Sequence, residues 1–497
     1  MRGPFNFEGG KMAFRASDFH FYYQLKPCSL RVYLRQQHVA EKEPDVYQHL
    51  LIRLGEFHEK RHLRSLGEYF DAGGSESKTR DAVYSKASVI YQPFMRSTSD
   101  TIGEIVGQPD FFLRVNDEYI IRDCKLSRRF SEEHHPEIFR QLELYGWLFE
   151  RTFECKAAVL QVFMGDSTLR EVPYAPENAL RVAEEISNLR KLDAEPLDPV
   201  GWSKCLDCCF HEFCWTRAIG TKSVAVLPDV DQALARTLHG EGIESYEQLA
   251  SQYDEAALGV LKKQVGTKLR KVGVAAKKIL LQADSFISNK QILIQHPMLQ
   301  EVPAVAIFDV EGIPPHLDYA EKTYLWGLKV FGNEVGPYMP ANAGLGPEGD
   351  REGWLKFLKN CGEIFSRFGD IPFVVWSSYE KTQVRKYLDK FGDVDGIGNR
   401  LIGRLVDLLR VVNRSIVLPV PTYGLKTIER VAGYQRKETD TGGKWSMAKY
   451  IEAIETEDSE KAAALLGEIA AYNEEDLEAL WTVYRWVLSL EFETLRT

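Results

Sequence analysis

The sequence predicts a multidomain α/β protein, and three observations carry that prediction. At 497 residues the chain is too long for one ordinary core. Strand-like and helix-like runs alternate near both ends. Between them lies a stretch that reads as helix throughout. These patterns divide the chain into segments 1–220, 221–295 and 296–497. With hydrophobic residues at 44% and charged residues at 27%, the composition is that of a folded chain rather than a disordered one.

In the first segment, Ser17 and Asp18 open a helical pattern that runs to about residue 70. "TIGEIVG", "DFFLRV" and "EYIIRDCK" then read as strands, followed by a helix over 133–150, the strand "KAAVLQVFM" and a helix near 176–191. The second segment reads as wholly helical, with glycine-containing turns in "LHGEGIESYEQLA" and "KVGVAAKKILLQA". The third begins with the strands "AVAIFDVEG" and "TYLWGLKVFG". A helix over 351–367, the strand "IPFVVWSS" and further helices complete a second α/β order.

Net charge is −10, so bulk charge does not mark a nucleic-acid binder. Charge is uneven, however: no acid falls between Glu255 and Asp284, where Lys268, Arg270, Lys271, Lys277 and Lys278 lie. A solvated helix face explains such a run as readily as a phosphate contact does. No stretch reaches the length of a membrane span, and "MRGPFNFEGGKMAFRASDF" has no apolar run behind its basic residue; Met12 offers an alternative start. The expectation is a cytoplasmic protein, in a reducing compartment where clustered cysteines bind metal instead of forming disulfides.

"QPDFFLRVNDEYIIRDCK" is the most informative line. A two-residue hairpin turn at Asn116 and Asp117 puts Asp110 opposite Asp123, with Cβ atoms roughly 5 Å apart. Like charges so placed destabilise a sheet unless something neutralises them, and a divalent cation would. Lys125 follows two residues later on the same face, where an ammonium orients water or stabilises phosphate charge. Ordinary exposed hairpin charges are the competing explanation. In the third segment Asp309 and Glu311 project from one face of a strand, while Tyr472 and Asp476 lie four apart on a late helix. "CLDCCFHEFCW" gathers four of the eight cysteines within residues 205–215, a spacing that suits a metal.

Pro109-Asp110 followed by Asp123-Cys124-Lys125 resembles the PD-(D/E)xK nuclease signature, and the surrounding text is similar to its RecB-type branch. "GEFHE" supplies His58 and "QLELYGW" supplies Gln141 and Tyr145. The resemblance implies that His58, Asp110 and Asp123 hold Mg2+ or Mn2+ with the carbonyl of Cys124, and that Lys125, Gln141 and Tyr145 complete the catalytic site. In iron-sulfur members of this branch one early cysteine joins three late ones; Cys28 with Cys205, Cys208 and Cys214 has that layout, implying a 4Fe-4S cluster that staples the domain. A zinc site drawn from Cys205, Cys208, Cys209 or His211 with Cys214 is the alternative, and it would not need Cys28. Cys124, Cys155 and Cys361 read as buried small residues.

The middle segment is similar to helix-hairpin-helix modules, which implies that its lysines touch a nucleic-acid backbone without reading sequence. Asp309, Glu311, Tyr472 and Asp476 resemble the tyrosine subtype of DEDD exonucleases, of ribonuclease H-like, DnaQ-like fold. There two metal ions activate water and stabilise the leaving oxygen. Glu380 stands where that family's second motif normally has aspartate, a departure that puts activity of this domain in doubt; Asp407 reads as structural. In order, these motifs resemble bacterial RecB-like nucleases that join an iron-sulfur PD-(D/E)xK domain to a ribonuclease H-like domain through helix-hairpin-helix material. Such a protein hydrolyses DNA, as single strands or ends; its N-terminal site acts as an endonuclease or exonuclease and its C-terminal site digests from a 3′ end. Two other readings stay open: a nucleic-acid-binding or scaffold protein with one or both sites inactive, and an exonuclease directed at RNA.

Overall fold

The computed structural model describes residues 13–24, 26–317, 320–437 and 442–490. Of the N-terminal stretch on which the cytoplasmic expectation and the alternative start rest, residues 1–12, Met12 among them, lie outside the described residues. The chain divides into two compact units, Met1–Asp198 with Trp202–Cys214, and Pro199–Gly201 with Trp215–Thr497. No helix among the described residues is long and apolar enough to cross a membrane.

The first unit holds strands β1 (Phe14–Arg15), β2 (Phe70–Asp71), β3 (Val89–Tyr91), β4 (Met95–Ser99), β5 (Gly103–Gly107), β6 (Phe111–Val115), β7 (Glu118–Lys125), β8 (Val159–Met164) and β9 (Leu169–Val172). Six form a mixed sheet in the order β2-β3-β6-β7-β8-β9, and β1-β5-β4 form a second. Both faces of the larger sheet are covered, so β7 is apolar at alternate positions on each side. Ile121 and Val162 join Leu148 and Phe149 of the helix Pro136–Phe153 on one face. Phe111, Leu113 and the Cys124 thiol meet Leu63 of the helix Val46–Ser65 on the other. The Pro136–Phe153 helix begins with proline, whose missing N–H costs nothing there, and its C-cap Glu154 takes a left-handed conformation. Cys155 follows that cap and is exposed, which corrects its reading as a buried residue; Cys361 is buried and Cys124 half-buried.

Early in the second unit come the helices Gln232–Gly240, Tyr246–Gln252 and Glu255–Val260, capped by Asp231, Ser245 and Asp254. The wholly helical expectation fails next: β10 (Lys262–Val265) and β11 (Lys268–Lys271) form an antiparallel ribbon. Gly266 accepts positive φ in its two-residue turn, and the ribbon closes on Val265 opposite Lys268. Helix resumes over Ala275–Ser288, then β12 (Ile292–Leu293) begins the α/β part. The remaining strands are β13 (Ala304–Ile313), β14 (Lys322–Gly332), β15 (Ala341–Asn342), β16 (Phe373–Val375), β17 (Leu405–Asp407) and β18 (Ile416–Val417).

A five-stranded sheet runs β15-β14-β13-β16-β17, with β13, β16 and β17 parallel and β14 antiparallel to β13. Alternation along β13 sorts its side chains. Ala306, Phe308 and Val310 pack with Trp354 and Phe357 of the helix Gly346–Phe368. Val305 and Ile307 pack with Leu477 and Leu480 of the 30-residue helix Ser459–Leu488. Asp309 and Glu311 continue this second set, so strand parity alone aims both acids at the long helix.

Candidate active sites

In the first unit the register runs from Val115 opposite Glu118 to Phe111 opposite Arg122, and Asn116 and Asp117 both adopt positive φ. The next facing pair is therefore Asp110 and Asp123. The Asp110 amide donates to Oδ1 of Asp123 at 3.3 Å, and the Cys124 amide donates to Oδ2 of Asp110 at 2.7 Å. Lys125 Nζ lies 2.6 Å from Oδ2 of Asp123, as their shared strand face requires. Burial first, then the charges of Asp123 and Glu59, push the Asp110 carboxyl well above its ordinary pKa. For Lys125 burial works against the charge, but Asp123 and Asp110 outweigh it and hold the ammonium above its usual value.

Gln141 and Tyr145 meet as the helix spacing predicts: Gln141 Nε2 donates to the Tyr145 hydroxyl at 2.8 Å. That hydroxyl donates to the Gln108 carbonyl at 3.2 Å, which ties the helix to the segment entering Asp110. His58 is not brought to these acids. Its ring stacks on Phe163 at 5.0 Å, Nε2 lies 3.3 Å from the Phe163 carbonyl and Nδ1 faces Arg61. Phe163 pairs with Cys124, and β-strand parity sets that pair's side chains on the sheet face opposite to Asp123 and Lys125. The residue of that helix that Asp110 does feel is the neighbour Glu59, whose Oε1 accepts from the Tyr91 hydroxyl at 2.7 Å and from Gln92 at 2.8 Å. Glu59 stood in the quoted "GEFHE", where the family resemblance drew the reading to the histidine.

The ends of this unit meet at the cysteines. Cys28, Cys205, Cys208 and Cys214 are all buried. Cys28 caps the helix Ser29–Gln36, its Sγ accepting from the Arg31 amide at 3.4 Å. The neighbouring Ser29 amide donates to Asp198 at 2.9 Å, and Asp198 in turn holds Lys204 Nζ at 2.5 Å, one residue before Cys205. The Lys42 amide donates to the Cys209 carbonyl at 2.9 Å. A hydrogen bond from the Cys209 thiol, with help from Arg31, holds Cys208 down to about 5, whereas burial pushes Cys28 up to about 11. Nε and Nη2 of the buried Arg31 have no hydrogen-bond acceptor. A buried cation beside Cys28 and Cys208, with donors to spare, suits a thiolate-held group of net negative charge. His211 Nδ1 is engaged with the Cys205 carbonyl at 2.8 Å, which takes that nitrogen from a zinc.

In the second unit Asp309, Glu311 and Asp476 place one carboxylate oxygen each within 4.8 Å of one another, and among the described residues no other group of three candidate donors converges so closely. Each acid has its own support. Asn473 Nδ2 donates to Oδ2 of Asp309 at 2.9 Å, and the Tyr338 hydroxyl at 2.9 Å from Asn473 Oδ1 fixes which way that amide points. Glu311 is met by the hydroxyls of Tyr324, at 3.4 Å, and Ser446. Asp476 accepts from Tyr472 and Arg436. Burial raises all three, joined at Asp309 and Glu311 by the charge of Asp476: Asp309 lies well above its ordinary value, Glu311 is pushed to about 8, and Asp476 is raised by burial despite Arg436. Such acids hold protons until a cation replaces them, so the donor set fits divalent metal.

Glu380 sits at the third position of the helix Ser378–Phe391, its Oε2 accepting from the Ser377 amide at 3.2 Å in a capping box. Burial pushes it up to about 7, and its charge is felt by Asp309, yet it does not complete the converged group. Asp407 caps the helix Leu408–Ser415, accepting from the Arg410 amide at 2.8 Å. Sequence reasoning missed Asn473 and Arg436. For Asn473 a signal existed: Gly327 faces Asp309 across the ladder, in a strand otherwise buried and bulky. A Cβ there would lie 1.6 Å from Asn473 Oδ1, so the glycine makes room for the amide that holds the acid.

Of the basic residues, Lys268, Arg270 and Lys271 lie on β11 and Lys277 near the start of the Ala275–Ser288 helix, all exposed. Lys278 differs: its Nζ is 3.0 Å from Asp229 and lies over the Tyr423 ring at 5.7 Å.

Residues 23–215 match the model of the PD-(D/E)XK nuclease superfamily, and residues 306–488 match that of the RNase H superfamily. The chain carries a PD-(D/E)XK nuclease domain and an RNase H-like domain. The nuclease domain's match ends one residue past Cys214, and the RNase H-like domain's match encloses Asp309, Glu311 and Asp476. None of the curated proteins matches the chain. A solved structure described as "Crystal structure of SSO0001" matches at 16% identity over 42% of this chain and 88% of that one, with a TM-score of 0.26.

Proposed function

We propose that the protein is a nuclease dependent on Mg2+ or Mn2+ that hydrolyses phosphodiester bonds of DNA, as single strands or ends, at two sites. The convergence of Asp309, Glu311 and Asp476 within 4.8 Å carries this reading. Divalent metal held there would supply a Lewis acid for the scissile phosphate and an activated water. Around it Tyr472 positions water, while Asn473 keeps Asp309 turned inward. In the nuclease domain Asp110 and Asp123 are the proposed metal ligands with the carbonyl of Cys124. Lys125 stabilises phosphate charge, and Gln141 and Tyr145 hold the entering strand.

Segment 1–220 is the proposed iron-sulfur nuclease part, 221–295 the nucleic-acid-binding part and 296–497 the exonuclease part. Cys28, Cys205, Cys208 and Cys214 would hold the 4Fe-4S cluster as a staple, which the burial of all four and the unspent donors of Arg31 support. Lys268, Arg270, Lys271 and Lys277 would follow the phosphate backbone. RNA is the second reading for the C-terminal site, since metal and phosphate contacts leave the sugar unread.

Asp123→Ala and, separately, Asp309→Ala should each remove one component of cleavage when single-stranded DNA and RNA are offered with Mg2+ or Mn2+. Undiminished cleavage by both would defeat the site assignment. Protein purified without oxygen should be brown and contain iron, and Cys28→Ser should lose it. Stoichiometric zinc that survives Cys28→Ser would replace the cluster with the alternative.

A further inference from the structure

Arg436 lies outside any helix or strand, yet its side chain is only 7% exposed. Nε and Nη2 grip the two oxygens of Glu429 at 2.6 and 2.8 Å, and Nη2 also donates to Oδ1 of Asp476. Nη1 lies 4.0 Å from Glu475 and has no hydrogen-bond acceptor. A buried guanidinium thus clasps one of three converged acids with one nitrogen and leaves the next unspent. Core arginines whose role is structural normally use all their donors, because an unmade bond in a dry site is costly.

We propose that Arg436 is a phosphate ligand of the C-terminal site, kept on Asp476 until a divalent cation takes its place there. This rests on Asp309, Glu311 and Asp476 being metal donors. A compact double charge competes for an Asp476 oxygen better than a delocalised single charge does. Glu429 holds the Nε side of the group, so release of Asp476 would not free the side chain to wander. It would free the end-on fork of Nη1 and Nη2, whose two parallel N–H directions match two non-bridging oxygens of a phosphate. The guanidinium would then be both a placeholder for metal and a ligand that becomes available only when metal is loaded.

The experiment uses the full chain with Asp123→Asn, so that cleavage reports the C-terminal site. Three readouts are taken on this parent, Arg436→Gln and Arg436→Lys: Mn2+ binding followed by the paramagnetic resonance of free Mn2+, turnover of single-stranded DNA, and inhibition by thymidine monophosphate. In Arg436→Gln, Mn2+ should bind at lower concentration than in the parent, because its competitor is gone. Turnover should fall about 100-fold and nucleotide inhibition weaken, as expected when one pre-placed donor is lost. Weaker Mn2+ binding would make Arg436 a structural brace, and unchanged turnover and inhibition would also overturn the proposal. Should Arg436→Gln fail to fold, Arg436→Lys decides: it keeps the charge but not the fork, so lowered turnover and inhibition with near-parental Mn2+ binding supports the proposal, and three unchanged readouts overturn it. A parent whose Mn2+ binding equals that of Asp309→Asn refutes the metal site itself, a result separable from any behaviour of Arg436.

Discussion

The two acid sites solve one electrostatic problem differently. In the nuclease domain Asp110 and Asp123 face each other; a backbone amide holds one and the Lys125 ammonium the other, which offsets part of the repulsion, while burial and the rest of it keep Asp110 well above its ordinary pKa. In the RNase H-like domain three acids converge; Arg436 bonds Asp476 but is shared with Glu429, and Lys426 acts on Glu311 and Asp476 through its charge. Asp309 and Glu311 are left to lower their own charge by keeping protons. A site in which a lysine is paired with one of two acids needs metal less than a site in which three acids converge.

The largest expected effect breaks that balance. Lys125→Ala should cut the N-terminal component of cleavage about 100- to 1,000-fold, because the pre-placed positive charge at the phosphate is lost. The same change leaves Asp123 buried and Asp110 opposite it with no ammonium between them. In chelator the variant should therefore melt below the parent, and Mn2+ should restore more of the loss than it gives the parent. Equal melting of variant and parent in chelator would show that Lys125 does not balance the pair.

A smaller effect should appear in how stability responds to pH. Burial, with the nearby Asp476 charge at Glu311, pushes Glu311 up to about 8 and Glu380 to about 7, both from 4.5. A carboxyl whose folded pKa lies above its unfolded one binds protons more tightly when folded. Its contribution is complete below the unfolded value and is lost as pH rises through the folded one. Between about pH 4.5 and 8 the chelated protein should lose stability from these groups, by several degrees in melting temperature, and saturating Mg2+ should flatten the slope. A Glu311→Gln variant that loses stability across this window as steeply as the parent, with chelator present, would contradict the proton-holding acid.

What the sequence disclosed follows the range of the interactions. Asp110 and Asp123 were legible because a two-residue turn fixes strand parity, and Tyr472 with Asp476 because helix spacing does. Both are local rules. Arg436 reaches Asp476 across 40 residues from an irregular segment, and no periodicity marks it. Asn473 adjoined a residue already named, but its role depends on Gly327 in another strand. His58 was read from its order among motifs, and order does not say on which face of the sheet a helix lies. The β10–β11 ribbon escaped because its lysines also suit a helix, while Gly266 and the valines and threonine around it carried the strand signal.

That ribbon yields the smallest effect, and it separates bystander from contact. Like charges face each other across it, Lys262 opposite Lys271 and Lys263 opposite Arg270, an arrangement a sheet tolerates poorly unless an anion joins it. Lys263 has found Asp231 at 2.5 Å, and Lys278 has found Asp229 at 3.0 Å. Lys271 stays exposed. If β11 follows a single strand, Lys271→Gln should lower the steepness of log affinity against log salt by about 0.7, the share of one phosphate contact. Lys278→Gln should leave that steepness unchanged, since its charge is already spent within the fold. Binding would be measured with Asp123→Asn and Asp309→Asn combined, so that the oligonucleotide survives the titration. Equal salt slopes for all three proteins would return the ribbon to the status of a solvated surface, and a lower slope for Lys278→Gln alone would move the contact from the ribbon to the helix behind it.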